Sequence, residues 1–377
     1  MEATLRRISA QIREAAASGT ALRIRGGGSK DFYGRSLTGE VLDTRGLNGI
    51  VSYEPSELVV TVQAGTPLED LEAALAEQGQ CLPFEPPRYG HSTQASAATV
   101  GGMVSAGLSG PARASVGSVR DYVLGAKLIN GRGEQLTFGG QVMKNVAGYD
   151  VSRLLAGAMG TLGVLTEVSL KVLPVAPAQA TLVFEMAQAD ALEALHRWGG
   201  QPLPLNASCW VHDRTTSPPR DLLFVRLRGA VAAVETACQK MLAEAGGLRM
   251  DERQADADWS ACRDLRLPFF VSPSAPDLAL WRLSVAQTAP VLPWAGDTLV
   301  EWHGGQRWVW APASEGAVLQ DIARRAGGHA TLFWAQGDLA PWASMRFAAL
   351  NPSLDALHRR LKAAFDPAGI LNPGRLF

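Results

Sequence analysis

The chain is poor in charge, cysteine and histidine, and it has no long apolar run. Each shortage removes a class of function. Charged residues make up 19% of 377, split into 35 basic and 36 acidic. No basic excess marks a nucleic-acid surface, and no polybasic cluster marks an anionic membrane. The four cysteines, Cys81, Cys209, Cys238 and Cys262, form no C-x-x-C pair. That argues against a zinc ribbon or an iron–sulfur cluster held by this chain alone. Such sparse use suits a reducing compartment. The histidines His91, His196, His212, His303, His329 and His358 contain no paired ligand motif, so no metal site is expected. The N-terminus lacks an uninterrupted apolar signal, and no run approaches bilayer-spanning length. The expected location is cytoplasmic, or peripheral at a membrane through a partner.

Several nucleotide and hydrolase motifs are missing too. There is no G-x-x-x-x-G-K-[ST] phosphate loop and no G-x-S-x-G nucleophile elbow. The nearest approach to G-x-G-x-x-G is "GAMGTLG" (157–163), where Met159 replaces the second glycine. It also precedes a strand pattern instead of following one, which disfavours a nicotinamide enzyme of the doubly wound type.

What is present is glycine, in three clusters within the first half: 26–28, 101–110 and 157–163. The first, "RIRGGGSK", follows a short strand pattern. Successive glycine amides there could face an anion, with Arg25 and Lys30 adding charge. One turn needs one such cluster. Three suggest an elongated ligand with backbone close along its length, and a dinucleotide fits better than a mononucleotide.

The local patterns place these clusters. Leu5, Ile8, Ile12 and Ala15 fall on one face of a first helix. "LVVTVQAG" reads as a strand leading into "TPLEDLEAALAEQG". There Thr66 is expected to cap, with Pro67 at the first helical position, Glu69 completing a capping box and Gly79 closing the helix. "NGRG" between "YVLGAKLI" and "EQLTF" predicts a hairpin. In 160–174, Val168, Leu170 and Val172 alternate with Glu167, Ser169 and Lys171, as a half-buried strand requires. After the linker-like "PVAPAQA", six strand and three helix patterns alternate, as expected for an antiparallel α+β layer. The tail is expected to be a helix with Leu354, Leu357 and Leu361 on one face, followed by an extended end.

"RIRGGGSK", "TVGGMVSAG", "GSVRDYVLGAKLINGRGE", "KNVAGYDVSRLLAGAMGTLGVLTEVSLKVLP" and "FDPAGILNPGRLF" occur in that order. In this the chain resembles the vanillyl-alcohol oxidase and UDP-acetylmuramate dehydrogenase superfamily, and within it the FAD-binding E subunits of bacterial glycolate oxidases. The resemblance implies an α+β protein. A two-subdomain FAD-binding fold of the PCMH type (residues 1–175) would precede a smaller α+β cap (176–350), and the segment 351–377 would return to the flavin. It implies FAD as cofactor. Arg25, Gly26, Gly27, Gly28, Ser29 and Lys30 would serve the pyrophosphate. Gly101, Gly102, Ser105 and Ala106 would line the ribityl and isoalloxazine side. Gly163, Val164 and Leu165 would lie against the adenosine half, and Asn372 would reach the ring. No His or Cys lies in 21–34, so attachment is expected to be non-covalent. The implied activity is oxidation of glycolate to glyoxylate. The implied partners are a catalytic flavin subunit and an iron–sulfur subunit that pass electrons to a membrane acceptor.

Related D-2-hydroxyacid dehydrogenases carry a histidine-rich metal motif in the middle domain, which this sequence lacks. The residues left for catalysis are Arg282, as a carboxylate clamp, and His329, as a base. Two alternatives stay open: a standalone FAD-dependent 2-hydroxyacid or alcohol dehydrogenase, and a scaffold subunit without flavin.

Overall fold

A computed structural model describes residues 2–35, 37–89, 98–140, 150–336 and 340–376. His91 and most of "KNVAGYDV" (144–151) lie outside the described residues. The chain divides into two compact units. The first joins Met1–Ser109, Ser118–Val175 and Leu350–Phe377. The second joins Gly110–Gly117 and Ala176–Ala349.

Among the described residues the first unit contains three sheets: two that frame the glycine clusters and the short pair Gln80–Cys81 with Leu173–Pro174. Leu22–Arg25 pairs in parallel with Glu40–Asp43. The helix Glu2–Ser18 packs beside them, with Ile8 and Ile12 fully buried, as their 3.6-residue spacing requires. The second sheet has five strands, in spatial order Ile50–Glu54, Val59–Gln63, Val164–Lys171, Val123–Ile129 and Gln135–Gly139. Its last two strands form the predicted hairpin, with Ile129 opposite Gln135.

Two local expectations change. The Thr66 hydroxyl does not cap the helix Leu68–Glu77. It accepts from the Gly49 amide at 2.9 Å, and Pro67 takes the cap position without a side-chain bond. Ser169, expected on an open face, is buried against the Thr61 hydroxyl at 2.8 Å. Both residues obey partners far away in sequence, which local pattern does not encode.

The second unit is an eight-stranded sheet whose registered pairs are all antiparallel. Helices Gln188–Gly199 and Val231–Ala245 bury one apolar stripe of it, around Leu182, Trp210 and Val225. Gly316–Arg325 covers Trp281, Val309 and Leu332. A fourth helix, Glu252–Arg263, was not legible as a helix in the sequence. Only Ala255, Trp259 and Cys262 are buried along its otherwise polar length.

Candidate functional site

The glycine loop begins where Leu22–Arg25 ends. Gly26 is required by packing: a Cβ there would lie 2.3 Å from the Thr99 hydroxyl oxygen. Gly28 has φ +80°, which L side chains rarely adopt. Asp31 holds the loop closed. Its Oδ2 accepts from Arg23 at 2.5 Å and from Arg25 at 3.1 Å, and its amide donates to the Gly28 carbonyl at 3.0 Å. Among the described residues, the amides of Gly27, Gly28 and Ser29 donate to no acceptor. Successive unspent amides in a turn make a concave anion seat.

Two further segments close around that seat. The short helix Val100–Ala106 contributes Gly101, Gly102, Ser105 and Ala106. Its cap is Thr99, whose hydroxyl accepts from the Gly102 amide at 3.3 Å. The segment Met159–Leu165 contributes Met159, Gly160, Gly163 and Leu165. Together with the loop they line a narrow cleft of about 110 Å³. All the predicted cofactor residues line it except Val164. That side chain is fully buried among Ile8, Ile12 and Leu22, because strand alternation turns it away from its neighbours Gly163 and Leu165.

The C-terminal tail supplies the fourth wall through Asn372 and Arg375. Asn372 has φ +42°. Its side-chain oxygen accepts from the Ile24 amide at 2.8 Å, and its Nδ2 donates to the Met159 carbonyl at 2.6 Å. Its amide donates to the Leu22 carbonyl at 2.9 Å. The Asn372 side chain therefore ties the first strand to the 157–163 segment. Arg375, which sequence reasoning missed, donates to the carbonyls of Lys30 at 3.2 Å and Asp31 at 2.9 Å. Arg25, Lys30 and Arg375 face the cleft with Asp31 as the lining carboxylate, so the local balance favours an anion.

Arg282 and His329 belong to the second unit. They stand on neighbouring strands, with Arg282 opposite Thr331 and Ser284 opposite His329, so both point to one face of the sheet. The Arg282 guanidinium lies 5.5 Å from the Phe333 ring centroid. Surrounding protein atoms push the pKa of His329 down, and the charges of Arg282 and Arg113 add to that. The imidazole is thereby favoured in its neutral form. Among the described residues no group of three His, Cys, Asp or Glu side chains could hold a metal ion. None of the helices there is long and apolar enough to cross a membrane.

A cleft with a cation surplus and open loop amides defines a binder of a phosphorylated cofactor. Comparison with known proteins supplies the family. The FAD binding domain family matches residues 3–139, and the family of FAD linked oxidases, C-terminal domain, matches residues 348–376. The chain is 44% identical over 367 residues to glycolate oxidase subunit GlcE of Escherichia coli (strain K12), covering 97% of this chain and 95% of that one. It therefore belongs to the glycolate oxidase E-subunit family of FAD-linked oxidases. Glycolate oxidase subunit GlcD of Bacillus subtilis (strain 168) is 25% identical over 385 residues, covering 90% and 79% of the two chains. A solved alkyldihydroxyacetonephosphate synthase superposes with a TM-score of 0.66 at 16% identity, over 97% of this chain and 75% of that one. That likeness concerns the fold, which is the mixed α+β, FAD-binding architecture expected. FAD is the cofactor of this family.

Proposed function

We propose that the cleft of the first unit holds FAD without a covalent bond, and that the chain is the FAD-binding subunit of a glycolate oxidase. The observation that carries this is the convergence of four chain segments on open amides and three cations. The donor set fits a pyrophosphate. Gly27, Gly28 and Ser29 offer backbone N–H groups, and Arg25, Lys30 and Arg375 offset its charge. Gly101, Gly102, Ser105 and Ala106 leave room beside it, and Gly163 and Leu165 face the same space. The flavin, when bound, supplies a two-electron acceptor for oxidising a hydroxy acid.

Should this chain's own flavin meet the substrate, the residues that would serve that chemistry are Arg282 and His329. Arg282 would hold the carboxylate of glycolate through its planar fork. His329, kept neutral, would be ready to take the hydroxyl proton. The wider reading assigns glyoxylate as product, with electrons leaving to a partner iron–sulfur subunit and then a membrane acceptor. A catalytic flavin subunit would stand alongside. The domain limits that suit this reading are 1–175 for FAD, 176–350 for the cap and 351–377 for the returning tail.

The purified chain should show the visible absorption bands of an oxidised flavin, and acid precipitation should release all of that flavin into the supernatant. Flavin that stays with the protein pellet would refute non-covalent binding. Absence of flavin even after added FAD would leave the scaffold reading. Anaerobic glycolate should bleach the complex but not the isolated chain. Bleaching of the isolated chain, lost on Arg282→Met, would instead make this chain the oxidising subunit.

A further inference from the structure

A cavity of about 520 Å³ lies within the second unit and holds none of the residues assigned above. It sits between the sheet and the helix Glu252–Arg263, with the turn at 267–272 closing one side. Its volume falls in the range of small-molecule sites, roughly 300–1,000 Å³. Its chemistry is also distinct.

Three aromatic side chains, Phe224, Trp259 and Phe269, line it. Trp259 has spent its indole N–H on the Thr181 hydroxyl at 2.9 Å, so its ring offers only apolar surface. The thiols of Cys209 and Cys262 also face the space. Cys262 donates to the buried Glu301 carboxylate at 3.3 Å, and its pKa is held high, first by a hydrogen bond with Cys209 and then by burial. These thiols are inert wall.

The charged lining is mostly acidic. Asp213, Asp258 and Asp297 line the cavity, and Arg214 is the lining cation that is always charged. Arg214 is committed to Asp297 through both Nη atoms, one at 2.9 Å. His212 is paired with Asp221 at 2.6 Å. Asp213 accepts from the Thr215 amide and hydroxyl. Asp258 accepts from Gln254 Nε2 at 2.9 Å, which leaves its second oxygen for another donor. An anion would meet two carboxylates with no cation left to balance it, so a hydroxy acid is excluded here. A flat ring with a hydroxyl donor meets aromatic walls and a carboxylate acceptor.

We propose that this cavity is a second binding site, for a neutral hydroxylated aromatic molecule of the phenol or hydroquinone class, whose O–H donates to Asp258. The proposal does not rest on the flavin assignment.

Calorimetric titration of the full flavin-loaded chain with 2-naphthol and with 2-naphthoate tests it. The naphthol should bind one to one, and the naphthoate should bind at least about tenfold more weakly. Asp258→Asn should weaken the naphthol and narrow that difference. Val211→Trp and Ala255→Leu fill the cavity from opposite walls. Each should lower naphthol affinity by about tenfold or more, with the flavin spectrum unchanged. Equal or tighter binding of the naphthoate to the unaltered protein would overturn the proposal, as would no heat with the naphthol. Displacement of flavin by the naphthol, or unchanged affinity in both filled variants, would overturn it too.

Discussion

Neighbouring glycines in the loop serve different ends. Gly26 is small because Thr99 occupies the space its Cβ would need. Gly27 faces the cleft with an unspent amide. Gly26→Ala should therefore push the Thr99 hydroxyl off the Gly102 amide and cost about 1 kcal/mol, the usual worth of an N-cap. That loss should appear in urea unfolding with or without FAD. Gly27→Val should leave unfolding of the flavin-free chain nearly unchanged and abolish flavin retention, read as the ratio of visible to ultraviolet absorbance. If Gly27→Val retains a full complement of flavin, the pyrophosphate seat is misplaced. The sequence displayed all these glycines alike. It could not display the difference, which depends on Thr99 arriving from more than seventy positions away.

At the scale of elements, the turn Trp302–Gly304 shows how a half-buried imidazole is held between two hydroxyls. Trp302 and His303 both have left-handed φ, +54° and +53°. His303 Nδ1 meets the Ser208 hydroxyl and Nε2 meets the Ser115 hydroxyl, each at 3.0 Å. Arg113 stacks 4.6 Å over the Trp302 ring, and the Trp302 indole donates to the Gly110 carbonyl. Burial lowers the His303 pKa to about 4. The unfolded chain then binds a proton near its ordinary value while the folded chain does not. The stabilisation is complete above pH ~6.5 and is lost as pH falls toward ~4, amounting to about 3 kcal/mol. His303→Asn, which tolerates the left-handed backbone, should lower the Tm at about pH 7 and nearly match the parent protein near pH 4.5. An equal gap at both pH values would mean that the imidazole is not held neutral.

Elements also mark where sequence reading succeeds. The hairpin at 123–139 was legible because "NGRG" sits between two strand patterns and no distant partner is needed to form it. Gln306–Pro312 and Gly316–Arg325 were legible for the same reason, since β-branched and aromatic runs and amphipathic spacing are local signals. The helix Glu252–Arg263 was missed although Ala255, Trp259 and Cys262 keep i, i+4, i+7 spacing. Asp251 also caps it by accepting from the Gln254 amide at 3.0 Å. Its polar composition hid a stripe only three residues long. That helix walls the cavity of the second unit, so the proposed second site was invisible for the same reason. The tail helix forms over Pro352–Phe365 as its spacing predicted, but along its leucine face only Leu361 packs on the core, while Leu354 and Leu357 are 48% and 50% exposed.

Across the whole molecule, the first unit depends on the last residues of the chain. Lys362 donates to the carbonyls of Thr161 and Leu371, each at 2.7 Å, and to Asp366 at 2.5 Å. Asp366 is buried and also accepts from the amides of Ile370 and Leu371. Lys362→Met would leave the Asp366 carboxylate buried without its cation. It should cost about 3–5 kcal/mol in urea unfolding. Loss of less than about 1 kcal/mol would show that water reaches the pair.

That closure sets an order of events during synthesis. The glycine loop leaves the ribosome first, and Asn372 and Arg375, which pin its two flanks, follow more than 300 positions later. The whole of the second unit is made in between. A chain cut short of Asn372 would lack the ties that pin the first strand and the glycine loop. Removal of residues 350–377 should yield protein that no longer retains flavin although every glycine cluster is present. On the proposed site, flavin retention would then report whether the segment 350–377 is in place.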